Sequence, residues 1–194
     1  MSNIIPKREK CVYTSCYCEE NIWKLCEHVK HTHPEEIDCF YIVFISNKNK
    51  TIPIWMQRAA DNPNDAVVWD YHVILVQKST SSSFVYDLDT LLSFPCPFDE
   101  YAEKALGQEN RFQKKYIRYF RVIPAKIFLE TFASDRSHMF SDGEWKMPPP
   151  DYPCIKTEEC TNNLDDFISM DPRIKHGEVF VLKDFVHHFS SFHS

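Results

Sequence analysis

A chain of 194 residues with 43% hydrophobic and 14% aromatic side chains and three glycines is long and apolar enough for a dense core, which excludes a disordered or low-complexity protein. No interior linker divides it, so one domain over 1–194 is expected. A formal charge of -6 with one basic run, "KKYIRYFR" at 114–121, excludes a surface built for nucleic acid or an anionic membrane, which is held by clustered Lys and Arg.

The first ten residues, "MSNIIPKREK", lack the apolar run of a signal peptide, and no stretch is apolar for long enough to cross a bilayer. A cytosolic, and also nuclear, location is expected. Thiols stay reduced there, so the eight cysteines are expected as free thiols, metal ligands or a nucleophile and not as a disulfide framework.

From Cys18, the apolar positions Cys18, Ile22, Leu25, Cys26 and Val29 recur at helical spacing, with Glu19 and Glu20 in the first turn where the helix dipole favours anions. The spacing predicts a helix over 18–30. Four β-branched and aromatic runs follow, "CFYIVFIS", "TIPIWMQR", "AVVWDYHVILVQ" and "SFVYDLDT", separated by Asn/Lys, Pro/Asn/Asp and Ser/Thr clusters. They predict four successive antiparallel strands. Beyond "SFPCPFD" a helix is expected at 100–106, a strand at 118–123 and a helix at 125–132. Residues 134–163, with "PPP" at 148–150, predict a long loop, and "EVFVLKDFVHHF" a strand followed by a helix. The class is α+β, with an N-terminal helix packed on an antiparallel sheet. "KKYIRYFR" alternates charged and aromatic residues as a half-exposed strand would.

A thiol attacks as thiolate, and the unpaired N–H groups of a helix start lower its pKa, so Cys18 is the candidate nucleophile while Cys26, on the apolar face, is expected in the core. A nucleophilic cysteine needs a base, and the base needs an orienting group. In "VVWDYHVILV" strand alternation puts Asp70, His72 and Ile74 on one face, and Trp69, Tyr71, Val73 and Leu75 on the other. A two-residue hairpin loop at Ser79 and Thr80 sets Asp87 opposite His72; a shift of two sets Asp89 there instead. Both carboxylates lie on the correct face, so spacing leaves the choice open. Cys11, Cys16, Cys18 and Cys26 lack the second ligand pair of a structural zinc site, and no metal is expected. His187, His188 and His193 are expected on a solvated helix face and tail.

"CVYTSCYCEENIWKLC" (11–26), "WDYHVILV" (69–76), "VYDLDT" (85–90), "FASDRSHM" (132–139) and "LDDFISMDP" (164–172) together resemble the protein N-terminal glutamine amidohydrolases, the WDYHV-motif family. The resemblance implies a papain- or transglutaminase-like α+β fold and hydrolysis of an N-terminal glutamine side chain to glutamate with release of ammonia, which exposes the substrate to arginylation and degradation. By motif it implies Cys18 as nucleophile, His72 as base and Asp87 as orienting carboxylate, with a thioester intermediate and no cofactor. Partners are then proteins or peptides beginning with glutamine; no nucleic acid and no membrane are expected, and the protein is expected to be a monomer. A substrate α-ammonium needs an acceptor near these residues. Glu19 or Glu20 is favoured, with Asp70 and Asp89 as the other candidates. A cysteine peptidase, a transglutaminase-like acyltransferase and a non-catalytic binding module are the alternatives.

Overall fold

A computed structural model describes residues 4–62, 64–107, 109 and 112–190. Helix α1 (Cys18–Thr32) is followed by β1 (Phe40–Ser46), β2 (Ile52–Ile54), β3 (Val67–Trp69), β4 (Tyr71–Lys78), β5 (Ser83–Tyr86) and β6 (Cys96–Pro97). Next come α2 (Phe98–Tyr101), β7 (Tyr119–Pro124), α3 (Ala125–Thr131), β8 (Phe140–Ser141), β9 (Glu144–Trp145), α4 (Leu164–Ile168), β10 (Glu178–Val181) and α5 (Leu182–Phe189). Six strands form one antiparallel sheet in the order β10-β7-β1-β4-β5-β6.

The two central strands, β1 and β4, are apolar at nearly every position because both faces of the sheet are covered. Phe40, Ile42, Phe44, Tyr71, Val73 and Leu75 face one core, shared with Ile22, Leu25, Cys26 and Val29 of α1 and with α3 and α4. Val43, Ile45, Ile74 and Val76 face a second core closed by α2, α5 and β2. Alternation therefore holds along both strands, and each fully buried Leu, Ile or Phe contributes roughly 1.5–3 kcal/mol of transfer free energy.

The structure corrects four expectations. "TIPIWMQR" does not join the main sheet: β2 pairs only with β3, in a separate ribbon. The turn between β4 and β5 has its tip at Thr80 and Ser81, one place later than expected, because Ser79 and Ser82 close it with a backbone bond and two hydroxyl bonds. The register consequently runs Leu75↔Tyr86 to Lys78↔Ser83, and pairing stops at Tyr86. Trp69 is not on the face opposite His72; the bend at Asp70 interrupts the alternation and stacks the indole on the imidazole, with ring centroids 5.4 Å apart. Finally, "KKYIRYFR" is only partly a strand, and Arg118 and Arg121 are fully buried. Backbone carbonyls satisfy them: Arg118 donates to Pro53 and Leu106 as well as to the Glu109 carboxylate, and Arg121 donates to Ser169, Asp171, Ile174 and His176.

The long segment from Ser134 to Asn163 contains a 3-10 turn at Ser137–Met139 and the β8–β9 hairpin, with irregular chain around them. It is anchored by a buried two-point ion pair in which Arg136 Nε and Nη2 donate to Glu20 Oε1 and Oε2 at 2.9 and 2.8 Å. His187 and His188 lie on α5, where His188 packs on Phe180 and Phe189; His193 lies outside the described residues.

Candidate active site

Cys18 is the first residue of α1, and a small clamp sets that start. Asn21 accepts the Thr14 N–H and donates to the Thr14 carbonyl, both at 2.8 Å, and between them the chain turns through Cys16 in the left-handed region at φ 67°. Tyr17 is wholly buried and donates its hydroxyl to the Met147 carbonyl, tying the helix start to the 134–163 segment.

Cys18 and His72 line one cavity of about 270 Å3, together with Cys16, Trp69, Asp70, Tyr71, Asp89, His138, Met139, Lys146 and Met147. A larger depression of about 860 Å3 along residues 46–50 and 168–173 carries no cysteine or histidine on its walls.

His72 is buried, and its Nε2 lies 3.0 Å from Asp87 Oδ1. This contact arises differently from the ladder pairing expected from sequence. In the observed register the position facing His72 would be residue 89, but the ladder has ended by then. Asp87 Oδ1 accepts the Asp89 N–H at 2.9 Å, and this tight turn brings the Asp87 side chain back to the imidazole. Its other oxygen, Oδ2, accepts Tyr101 Oη–H at 2.8 Å and Gln57 Nε2–H at 3.1 Å. Burial pushes the Asp87 carboxyl up, yet the charge and hydrogen bond of His72 and the bonds from Gln57 and Asp89 outweigh it and hold the group below the ordinary carboxylate range. Burial likewise pulls His72 down, and Asp87 reverses this, so the imidazole is more basic than usual.

The helix-start argument predicts an acidic Cys18 thiol; the resting site has the opposite bias. The thiol is pushed well up by burial, and the neighbouring Glu19 and Asp89 carboxylates add to the shift. At rest it is a neutral thiol and needs a base.

The four candidate ammonium acceptors have separate fates. Glu20 is fully used by Arg136. Asp70 is exposed on the cavity wall and accepts the Tyr71 N–H. Asp89, also on the wall, accepts the Tyr13 hydroxyl. Glu19 has no exposed surface; its Oε2 accepts the Tyr71 hydroxyl at 3.0 Å and lies 3.7 Å from Cys18 Sγ, and burial raises its pKa to about 7. His72, Asp87 and Asp89 each place a potential ligand atom within 4.8 Å of the others, though His72 Nε2 and Asp87 Oδ1 are already bonded to each other.

Sequence reasoning did not single out Tyr71, Gln57, Tyr101, Arg136 or His138. Tyr71 was within reach, since alternation places it on the α1 face of β4 beside the helix start. Gln57 and Tyr101 had no local signal: they reach Asp87 from β2's trailing loop and from α2, far along the chain.

A family model described as N-terminal glutamine amidase matches residues 13–189. Curated relatives named protein N-terminal glutamine amidohydrolase include one from Danio rerio, 54% identical over 188 residues covering 96% of this chain and 93% of the relative. Others come from Homo sapiens, 52% identical with 96% and 91% covered, and from Drosophila melanogaster, 44% identical with 96% and 92% covered. With the match running through the helix start, the His72 strand and the Asp87 turn, the chain belongs to the N-terminal glutamine amidase family.

Proposed function

We propose that this protein hydrolyses the side-chain amide of an N-terminal glutamine in proteins and peptides, giving glutamate and ammonia, with Cys18, His72 and Asp87 as the working residues. The observation that carries the reading is the family match across 13–189, which takes in a cavity that Cys18 and His72 both line, the imidazole backed by a buried carboxylate.

In this mechanism Asp87 holds His72 through Nε2, and the other ring nitrogen, Nδ1, is the base. It takes the Cys18 proton as Sγ adds to the carboxamide carbon, so the unfavourable lone thiolate need not form beforehand. The oxyanion meets N–H groups at the start of α1. His72 returns the proton to the leaving nitrogen, ammonia departs and a thioester remains. Water, deprotonated by the same imidazole, then adds to the thioester, and Cys18 leaves reprotonated. The balance is one amide and one water to one acid and one ammonia, with no cofactor.

Placing a cysteine helix start beside His and Asp from a sheet is the papain- and transglutaminase-like arrangement, and we extend that likeness to a single catalytic domain acting as a monomer. Among the described residues no helix is long and apolar enough to cross a membrane. We place the protein in the cytosol and nucleus, where the new N-terminal glutamate would feed arginylation-dependent degradation. The test is incubation with a Gln-initiated peptide: a gain of about one dalton with equimolar ammonia is expected. Cleavage or cross-linking of the peptide, with no such gain, would favour the peptidase or acyltransferase alternative instead.

A further inference from the structure

Glu19 and Glu20 are adjacent, equally buried and treated in opposite ways. Glu20 has both oxygens on Arg136. Glu19 has one oxygen on the Tyr71 hydroxyl, while Oε1 has no hydrogen-bond partner among the described residues. The group nearest to filling it is His138 Nε2, 3.6 Å away, beyond hydrogen-bonding range and within ion-pair range. A buried carboxylate oxygen left open is a standing cost to folding unless something outside the chain completes it.

We propose that Glu19 Oε1 is the counter-charge that receives the substrate's α-ammonium, and that the His138 side chain marks and covers the place the ammonium takes. The inference rests on the amidase reading above and adds the group that makes it specific for a chain terminus. Three observations favour Glu19 over its rivals. Its Oε2 is 3.7 Å from Cys18 Sγ, so one residue can offer its side-chain carbonyl to sulfur and its own ammonium to the carboxylate. Cys18, Tyr71 and His138, which all touch Glu19, all line the cavity, so the carboxylate is one imidazole rotation from it. Asp70 is exposed, and Asp89 is half-buried with the Tyr13 hydroxyl already on it, so an ion pair at either is partly screened by water and adds little; at Glu19 the pair is desolvated and decides binding.

The cover is uncharged. Burial lowers the pKa of His138, so it does not neutralise Glu19 at neutral pH. The charged and titratable groups around Glu19 are Tyr17 just before α1, Cys18 and Glu20 on it, Tyr71 and His72 on β4, and His138 and Tyr152 on the 134–163 segment. Glu19 is ionised above about pH 7 and the substrate amine is protonated below about 8. Binding should therefore peak between those values.

The test compares a Gln-initiated peptide with its acetyl-Gln counterpart on the intact protein. In the wild type, the free-amine peptide should win strongly. Glu19→Gln should cut kcat/KM on the free-amine peptide by on the order of 30-fold or more, mostly through KM, with little change on the acetylated one. The acid limb of 1/KM near pH 7 should vanish. At pH 8 this variant should melt no lower than wild type, since it removes a buried charge. Tyr71→Phe, which removes one bond that stabilises the carboxylate, should move that acid limb to higher pH. An unchanged preference in Glu19→Gln, a lower melting temperature with the preference intact, an unmoved limb in Tyr71→Phe, or loss of the preference in Asp70→Asn or Asp89→Asn instead, would each overturn the proposal. A wild-type protein that releases no ammonia from either peptide would instead sink the amidase reading itself.

Discussion

The arginines of the β7 flank and Glu19 at the start of α1 are both buried and ionic, yet the first are saturated and the second is left open. Arg118 and Arg121 together place six hydrogen bonds on backbone carbonyls and a seventh on Glu109, stitching loops to the sheet edge. Around the cavity, Glu19 Oε1 at the α1 start and the Trp69 indole N–H at the end of β3 have no partner among the described residues, and the Cys18 thiol is held neutral. At Arg118 and Arg121 every guanidinium nitrogen has found an acceptor. Beside the cavity, capacity is kept in reserve at a cost in stability, which on the proposal above a bound substrate would offset.

Three experiments would break or sharpen that contrast, starting with the largest effect. Cys18→Ser and His72→Ala should each lower amide hydrolysis on the order of 10⁴-fold with the fold intact, because these groups act as a unit. Asp87→Asn should be more damaging than Asp89→Asn, and Cys16→Ser, on the exposed turn, should change the rate least. A Cys16→Ser enzyme that is dead beside an active Cys18→Ser one would show that the nucleophile is misassigned.

Stability should respond in the saturated ion pairs. Arg136→Leu strands Glu20 as an unpaired buried charge and should cost about 3–5 kcal/mol, a fall in melting temperature of roughly 10 °C. Thermal unfolding checks this; a shift of a degree or two would mean that water reaches Glu20 in the variant.

The smallest effect is in the pH dependence of the His72–Asp87 pair. Asp87 is held below its unfolded value of 3.8, so its contribution is present above that pH and lost as pH falls through the folded value. His72 is raised above 6.5, so its contribution is present below 6.5 and lost as pH rises through the folded value. The stability advantage of wild type over Asp87→Asn should be greatest between those two values and shrink on either side. A flat difference across the range would mean that the pair is not ionised in the folded protein.

Much of this geometry was legible in local sequence. Helical spacing from Cys18 marks α1, and alternation along "YHVILV" separates the face of Tyr71 from that of His72. Spacing left Asp87 and Asp89 both open as partners of His72, and the register that favoured Asp87 is two residues away from the observed one, because the four serines and threonine at the hairpin tip admit more than one turn; it was the motif resemblance that pointed to Asp87. What local pattern cannot carry is long-range satisfaction. Nothing in "KKYIRYFR" says that two arginines will be swallowed by carbonyls of β2, of the helical turn ending at Leu106 and of residues 169–176, and nothing near Gln57 or Tyr101 points to Asp87. The acidity expected of Cys18 failed for the same reason: a helix start is a local property, whereas the burial and the carboxylates that outweigh it are delivered by the rest of the fold.

The Arg136–Glu20 clamp has a kinetic meaning beyond its strength. It sits one residue along from Glu19 and two residues before His138, so the wall of the cavity is moored to the same helix turn that carries Cys18, the proposed nucleophile. Swinging the 134–163 segment away would separate two buried charges, a motion far slower than turning one imidazole. On the proposed reading, substrate entry needs only rotamer exchange within a fixed frame, and turnover should be paced by bond making and breaking and not by the opening of a lid.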